Sequence, residues 1–262
     1  MIVRRVLVAM AALLASLGGG HAAFAQPAPT VAAAADLRPA LTKIAASFKR
    51  DTGKDVSLVF GSSGNFHQQL QQGAPFQIFL SADEGYVLDL ARAGRTIGRG
   101  DLYAIGRLAI VAPVGSPLLV DGKLHGLRRA LASGTITRFA IANPEHAPYG
   151  KRAEEALHHA GLWPRLQSRL ILGENVAQAA QFAVAGGAQG GIVAYALALD
   201  PALKGKARFA LIPASWHQPL RQRMVLMKGA NPVARQFYAY LRQPAARAVL
   251  AQSGFTLPAG SR

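Results

Sequence analysis

The sequence predicts an α/β fold made of two consecutive units, each a mainly parallel sheet flanked by helices. Three observations carry this. Short apolar runs alternate with stretches whose apolar residues recur at helical spacing, the pattern of parallel strands covered by helices on both faces. Glycines and capping residues stand where one pattern gives way to the other. The 262 residues are enough for one large domain or two moderate lobes with real cores, and the absence of cysteine leaves no disulfide to staple them.

The first 25 residues form a leader: basic Arg4 and Arg5, the apolar run VLVAMAALLASLG, and the small-x-small triplet Ala23-Phe24-Ala25. Cleavage is expected after Ala25. The competing reading is a membrane anchor, but the run is shorter than the roughly 20 residues a span needs. After it, TVAAAA (30–35) reads as a buried strand of small residues. In DLRPALTKIAASFKRDTGK the residues Leu37, Leu41, Ile44 and Phe48 keep helical spacing, with Asp36 as N-cap and Pro39 in the first turn. DVSLVFG (55–61) is the next strand, followed by a helix over about 65–72 that Gly73 stops. QIFLS (77–81) is a strand, and a helix over about 84–93 ends at Gly94.

A second unit opens at LAIVAP, after Arg107. Its elements are strand RFAIANP (138–144), a helix through KRAEEALHHAGL, strand RLIL (169–172), helix VAQAAQFAV and strand GGIVAY (190–195). RFALIP (208–213) and RMVLMKG (223–229) read as further strands. The closing segment carries Asn231 as N-cap with Pro232 behind it, and a second helix start at Gln243-Pro244. No period of 20–50 residues repeats, so a solenoid is not expected.

The 29 Lys and Arg outnumber the 13 Asp and Glu, a formal +16, or +14 once Arg4 and Arg5 leave with the leader. Such an excess suits nucleic acid, a membrane surface or small anions. The bases are scattered, as in Lys49-Arg50, Arg128-Arg129 and Arg221 with Arg223, with no block of five or six. Enzyme signatures are sparse. In GSSGN the serine Ser63 is followed directly by Gly64, so the G-x-S-x-G elbow is not met. There is no P-loop lysine, no strand followed by G-x-G-x-x-G, and no pair of histidines at the i, i+4 spacing of a helical metal site. A triad assembled only in the fold stays open.

What remains is a set of turns at helix starts: AAAAD, FGSSGN, PEHAPYG and GENV. Each offers unpaired backbone N–H groups and the positive end of a helix dipole, which suits an anion. Singly, each could be an ordinary cap. Four in one exported chain point to an anion-binding site.

These residues resemble those of the periplasmic molybdate-binding proteins of ABC transporters. The resemblance runs in order through AAAADL, FGSSGNF, QQGAPFQIFLSAD, ANPEHAPYG with KRAEEAL, the ENV turn, GGIV and SGFTLP, nearly the whole chain beyond the leader. It implies a two-lobed type II periplasmic-binding fold, with lobe I formed by residues 27–105 plus 217–262 and lobe II by 106–216. It further implies a periplasmic monomer, not an enzyme, that needs no cofactor and no nucleic acid. Its ligand would be a tetrahedral oxyanion, molybdate or tungstate, passed to an inner-membrane ABC permease, with no direct protein–metal bond.

Carried over residue by residue, the resemblance places Ser63, Tyr149 and Val176 at the ion, with Asp36 contributing its main chain. Ala35, Ala194 and Tyr195 are weaker members of the set. Two departures stand out. A family serine falls at Ala35 or Asp36, where there is no hydroxyl, and a family tyrosine falls on Ala194, with Tyr195 next to it and so on the opposite face of a strand. The Asp36 position decides the ligand. Molybdate, tungstate and sulfate are pure acceptors at neutral pH, so a facing carboxylate repels them, whereas phosphate keeps a proton for it. If Asp36 caps its own helix, only its main chain meets the ion. The alternatives are therefore another oxyanion such as sulfate or phosphate, or a secreted hydrolase using Ser63.

Overall fold

In the computed structural model, which describes residues 28–258, the chain forms two five-stranded sheets, each flanked by helices. The predicted leader and its cleavage site lie outside the described residues. The first sheet contains β1 (Thr30–Ala34), β2 (Ser57–Gly61), β3 (Ile78–Ser81), β4 (Thr96–Gly106) and β10 (Leu220–Met227), in the order β2-β1-β3-β10-β4. The second contains β5 (Leu108–Pro113), β6 (Phe139–Ala142), β7 (Leu170–Gly173), β8 (Gly191–Ala194) and β9 (Ala207–Leu211), in the order β7-β6-β8-β5-β9. In each sheet three neighbouring strands are parallel, and one reversed strand, β10 or β5, pairs antiparallel on both sides. Four strands of each sheet thus run one way. The chain passes between sheets at Arg107 and again between β9 and β10, giving a two-lobed molecule.

The helices sit where apolar spacing and punctuation put them. Helix α1 (Arg38–Thr52) buries Ala40, Leu41, Ile44 and Phe48 and ends at Gly53, whose φ of 70° is the left-handed conformation glycine adopts without strain. The closing helices α9 (Pro232–Leu241) and α10 (Pro244–Gln252) return to the first sheet. There Phe237 and Tyr240 meet Phe48 edge-on, at 5.0 and 5.4 Å between ring centroids. The opposite face of that sheet is covered by Phe66, Leu70, Val87 and Leu90, from α2 (Ser63–Gln71) and α3 (Glu84–Arg92). In the second lobe α4 (His125–Ala132), α5 (Pro148–His159), the short α6 (Trp163–Leu166) and α7 (Val176–Val184) surround the sheet.

Two sequence expectations change, and one strand has no local sequence signal. Asp36 is not the cap of α1: it lies inside a 3₁₀ turn, Ala35–Leu37, whose own N-cap is Ala34, and α1 begins two residues later behind Leu37. Tyr195 is not on a strand but opens a short helix, α8 (Tyr195–Ala198), because β8 stops at Ala194. β4, the longest strand, carries no clean alternation in TIGRGDLYAIG, since Gly98 and Gly100 have positive φ and its pairing to β10 shifts register twice.

The parallel strands of both lobes end at one place. Residues that follow β1, β2 and β3 face residues that follow β6 and β7, the edge of an α/β sheet where ligands are expected. Alanines 34, 35 and 82 of the first lobe join the apolar cluster of the second. The folding framework itself rests on the distal core. Phe48→Ala, fully buried under Phe237 and Tyr240, is expected to cost about 3–5 kcal/mol in urea unfolding.

Candidate functional site

Four helix starts converge on one small cavity of about 10 Å³. The turn Ala34–Asp36 leads into α1, Gly61–Ser63 into α2, Ala147–Tyr149 into α5 and Asn175–Val176 into α7, two from each lobe. Such a volume is of the order of one water-sized sphere. A wider groove of about 770 Å³ runs beside it past Asp83, Tyr86, Asn143 and Lys151, but the helix starts do not meet there. Among the described residues, no Lys or Arg lines the small cavity.

The first two turns of α2 show how donors are aimed. Ser63 is almost fully buried, and its Oγ accepts the N–H of Ala82 at 3.0 Å, which leaves its own O–H to donate elsewhere. Ser62 is spent on the turn and the lobe contact. Its hydroxyl donates to the carbonyl of His146, whose Nδ1 lies 3.1 Å from the same Oγ. Gly64 N–H donates to that carbonyl too, at 3.0 Å, and a Cβ there would sit 2.4 Å from the oxygen, so only glycine lets the lobes approach this closely.

In the second lobe Asn175 caps α7, its Oδ1 accepting the N–H groups of Ala177 and Gln178 at 3.0 and 3.1 Å. Val176 N–H stands ahead of those two, among the donors a helix cannot satisfy internally. Tyr149 is the second residue of α5, behind Pro148, so its backbone N–H is in the same position.

Asp36 is the departure. It is 0% exposed, and its side chain turns across the lobe boundary instead of capping α1. Oδ2 accepts from Tyr149 Oη at 2.9 Å and from Gln222 Nε2 at 2.6 Å, while Oδ1 is buried without a hydrogen-bond partner. Tyr103 in turn donates to Gln222 Oε1 at 2.7 Å. Burial pushes the Asp36 carboxyl up from its ordinary 3.8 to about 6, against the pull of Gln222, Tyr149 and the nearby N–H groups of Asp36 and Leu37. Burial, and next the charge of Asp36, raise the Tyr149 and Tyr103 phenols well above 10.

Of the residues singled out from sequence, the structure brings Ala35, Asp36, Ser63, Tyr149 and Val176 to the cavity, and the Asp36 carboxylate bonds Tyr149 and Gln222 beside it. Ala194 and Tyr195 are not brought there. Tyr195 instead packs on Phe209, 5.8 Å between rings, and against Gly254. Sequence reasoning missed Gln222, Tyr103 and His146. Gln222 alone left a trace: a polar residue on the face of β10 that otherwise presents buried Leu220 and Met224.

Comparison with known proteins gives a consistent picture. The family described as bacterial extracellular solute-binding protein matches residues 29–256. The molybdate-binding protein ModA of Azotobacter vinelandii is 36% identical over 94% of this chain and 97% of its own. That of Rhodobacter capsulatus is 33% identical over 86% of each. The solved periplasmic molybdate-binding protein of Azotobacter vinelandii superposes with a TM-score of 0.80 and 32% identity, over 88% of this chain and 99% of the other.

The buried carboxylate has a measurable consequence. A group whose folded value lies above its unfolded one adds stability that is fully present below the lower value and lost as pH rises through the upper. For Asp36 the window runs from about pH 4 to about pH 6, with roughly 3 kcal/mol lost across it. Asp36→Asn keeps an acceptor for Tyr149 and Gln222 and removes the charge. Without added ligand, the variant is expected to melt higher than the parent at about pH 7.5 and to lose the parent's decline across that window.

Proposed function

The chain belongs to the bacterial extracellular solute-binding proteins and, within them, to the periplasmic molybdate-binding proteins of ABC transporters, and from that membership we propose that it captures molybdate between its lobes. Tungstate, which shares the shape and charge, would bind as well. The observation that carries this is the meeting of four helix starts, two per lobe, on a cavity that no lysine or arginine lines among the described residues. A helix N-terminus carries about half a positive charge, so four together match a dianion. Ser63 O–H, the N–H groups of Ser63, Tyr149 and Val176, and the main chain of Ala35 and Asp36 supply neutral donors. Hydrogen bonds to a charged group contribute roughly 1.5–3 kcal/mol each, so about six hold a desolvated ion tightly.

In this reading the leader directs the protein to the periplasm, residues 27–105 with 217–262 form lobe I, and 106–216 form lobe II. The monomer hands its ion to an inner-membrane permease by opening the lobes, a hinge motion about the ligand. It performs no catalysis. Ser63 Oγ is engaged by the N–H of Ala82 and not by a histidine ring, so it lacks the base a nucleophile needs. A second reading follows from one observation: the partnerless Oδ1 of Asp36 could accept the proton that phosphate retains.

A melting scan with equal molybdate, tungstate, sulfate and phosphate separates these readings, since a ligand at about 100 times its Kd adds roughly 2.7 kcal/mol. The expected result is a large upward shift with molybdate and tungstate alone. A shift with phosphate alone selects the second reading, and no shift with any of the four sinks both. Ser63→Ala is expected to weaken molybdate binding by about 1–3 kcal/mol in titration calorimetry, the loss of one buried donor. An unchanged Kd would remove Ser63 from the site.

A further inference from the structure

Resting on the molybdate reading, we propose that Asp36 enters the complex as a neutral carboxylic acid whose Oδ1–H donates to an oxygen of the bound anion, so that each anion captured brings one proton with it. The geometry leaves one place for this. Oδ2 is already occupied by two donors, Tyr149 Oη and Gln222 Nε2, and Oδ1 is buried with no partner in hydrogen-bonding geometry among the described residues, the backbone N–H groups of Asp36 and Leu37 lying near the carboxyl. Asp36 lines the cavity on which the four helix starts converge. An acceptor-only dianion placed against an ionised carboxylate sets two like charges together in a site whose lining, among the described residues, holds no cation. Adding a proton to Oδ1 turns that contact from repulsion into a donated hydrogen bond, and every other hydrogen bond of the carboxyl is kept. The proton comes from solvent, and no bond of the anion is made or broken.

Among the described residues no cation is among the groups that act on the Asp36 carboxyl, although Arg107, whose Nε is buried without a hydrogen-bond partner, follows Gly106 in the chain. The 3₁₀ turn bearing Asp36 packs against α1, β2, α7 and α8. On these, β2 and α7 carry no ionisable side chain, α8 carries only Tyr195, and the nearest cation of α1, Arg38, lies over the Phe60 ring. The remaining neighbours are the phenols of Tyr149 and Tyr103, which keep their protons. Arg221 and Arg223 of β10 are paired with Glu84, and Arg152 of α5 with Glu155 and Asp83. His146 faces Ser62 and Glu174. Burial already lifts the carboxyl to about 6, and a dianion beside it lifts it further.

The same group then assists release. Opening the lobes returns water to Asp36, its carboxyl falls toward 3.8, the proton leaves, and the restored carboxylate opposes the anion.

Titration calorimetry of the exported protein with molybdate, in two buffers of different ionisation enthalpy across about pH 6 to 9, reads the proton directly. Close to one proton taken up per anion is expected at about pH 7.5, with Kd rising roughly tenfold per pH unit above about 7. Asp36→Asn, which carries an N–H where the acid carries its O–H, is expected to bind molybdate with no proton uptake and a flat pH profile. Binding by the parent with no proton uptake and a flat profile would overturn this inference and leave the molybdate reading standing. Uptake that persists in Asp36→Asn would overturn it too, by assigning the proton to another group. Absence of molybdate binding at every pH, with phosphate bound by the parent and lost in Asp36→Asn, would overturn both readings in favour of a carboxylate that accepts from its ligand. If the variant does not fold, the parent's proton count decides alone.

Discussion

Four helix N-termini directed at one point are electrostatically uncomfortable unless something negative lies between them, and this constraint organises both lobes. Each terminus leaves backbone donors without internal acceptors and carries a partial positive charge. The fold places them face to face because the parallel strands β1, β2 and β3 in one lobe, and β6 and β7 in the other, all end at the interlobe boundary. The reversed strands β10 and β5 let the chain cross and return without lengthening either sheet. The two halves also meet through direct polar contacts there, Ser62 and Gly64 with the His146 carbonyl and Tyr149 with Asp36.

Asp36 modifies that scheme at one corner. At the cavity Ser63 and Val176 present neutral groups, whereas Asp36 presents a carboxyl whose charge depends on its proton. Its hydrogen-bonded neighbours belong to both lobes, Gln222 on β10 and Tyr149 on α5, so lobe contact and carboxyl burial are one event. Separation of the lobes removes the Tyr149 bond and admits water together. A main-chain donor has no such dependence.

The framework was legible in the sequence wherever one local pattern acted alone. Helix α7 follows VAQAAQFAV residue for residue, with Asn175 capping it, because apolar spacing and cap agree. The turns at 61–63, 147–149 and 175–176 were visible for the same reason. Two kinds of feature were not. β4 is held by pairing to β10, 100 residues and more away, and its glycines erase local alternation. The Asp36 side chain looked like a cap because aspartate before a helical pattern usually is one. Its actual partners, Tyr149 and Gln222, are 113 and 186 residues distant, and no local rule reports them.

How closely the lobes meet depends on two glycines. A Cβ on Gly64 would stand 2.4 Å from the His146 carbonyl, and one on Gly106 would stand 2.2 Å from Tyr149 Oη and 2.9 Å from Gln222 Nε2. Neither glycine has a positive φ, so both positions are set by space and not by backbone conformation. Gly64 admits the second lobe to the start of α2, and Gly106 admits the tyrosine hydroxyl to the carboxyl of Asp36. At Gly64 the close neighbour is backbone, and at Gly106 it is the side chains of Tyr149 and Gln222. On the proposed reading, an ion too small to reach every donor would leave buried donors unpaired at roughly 1–3 kcal/mol each.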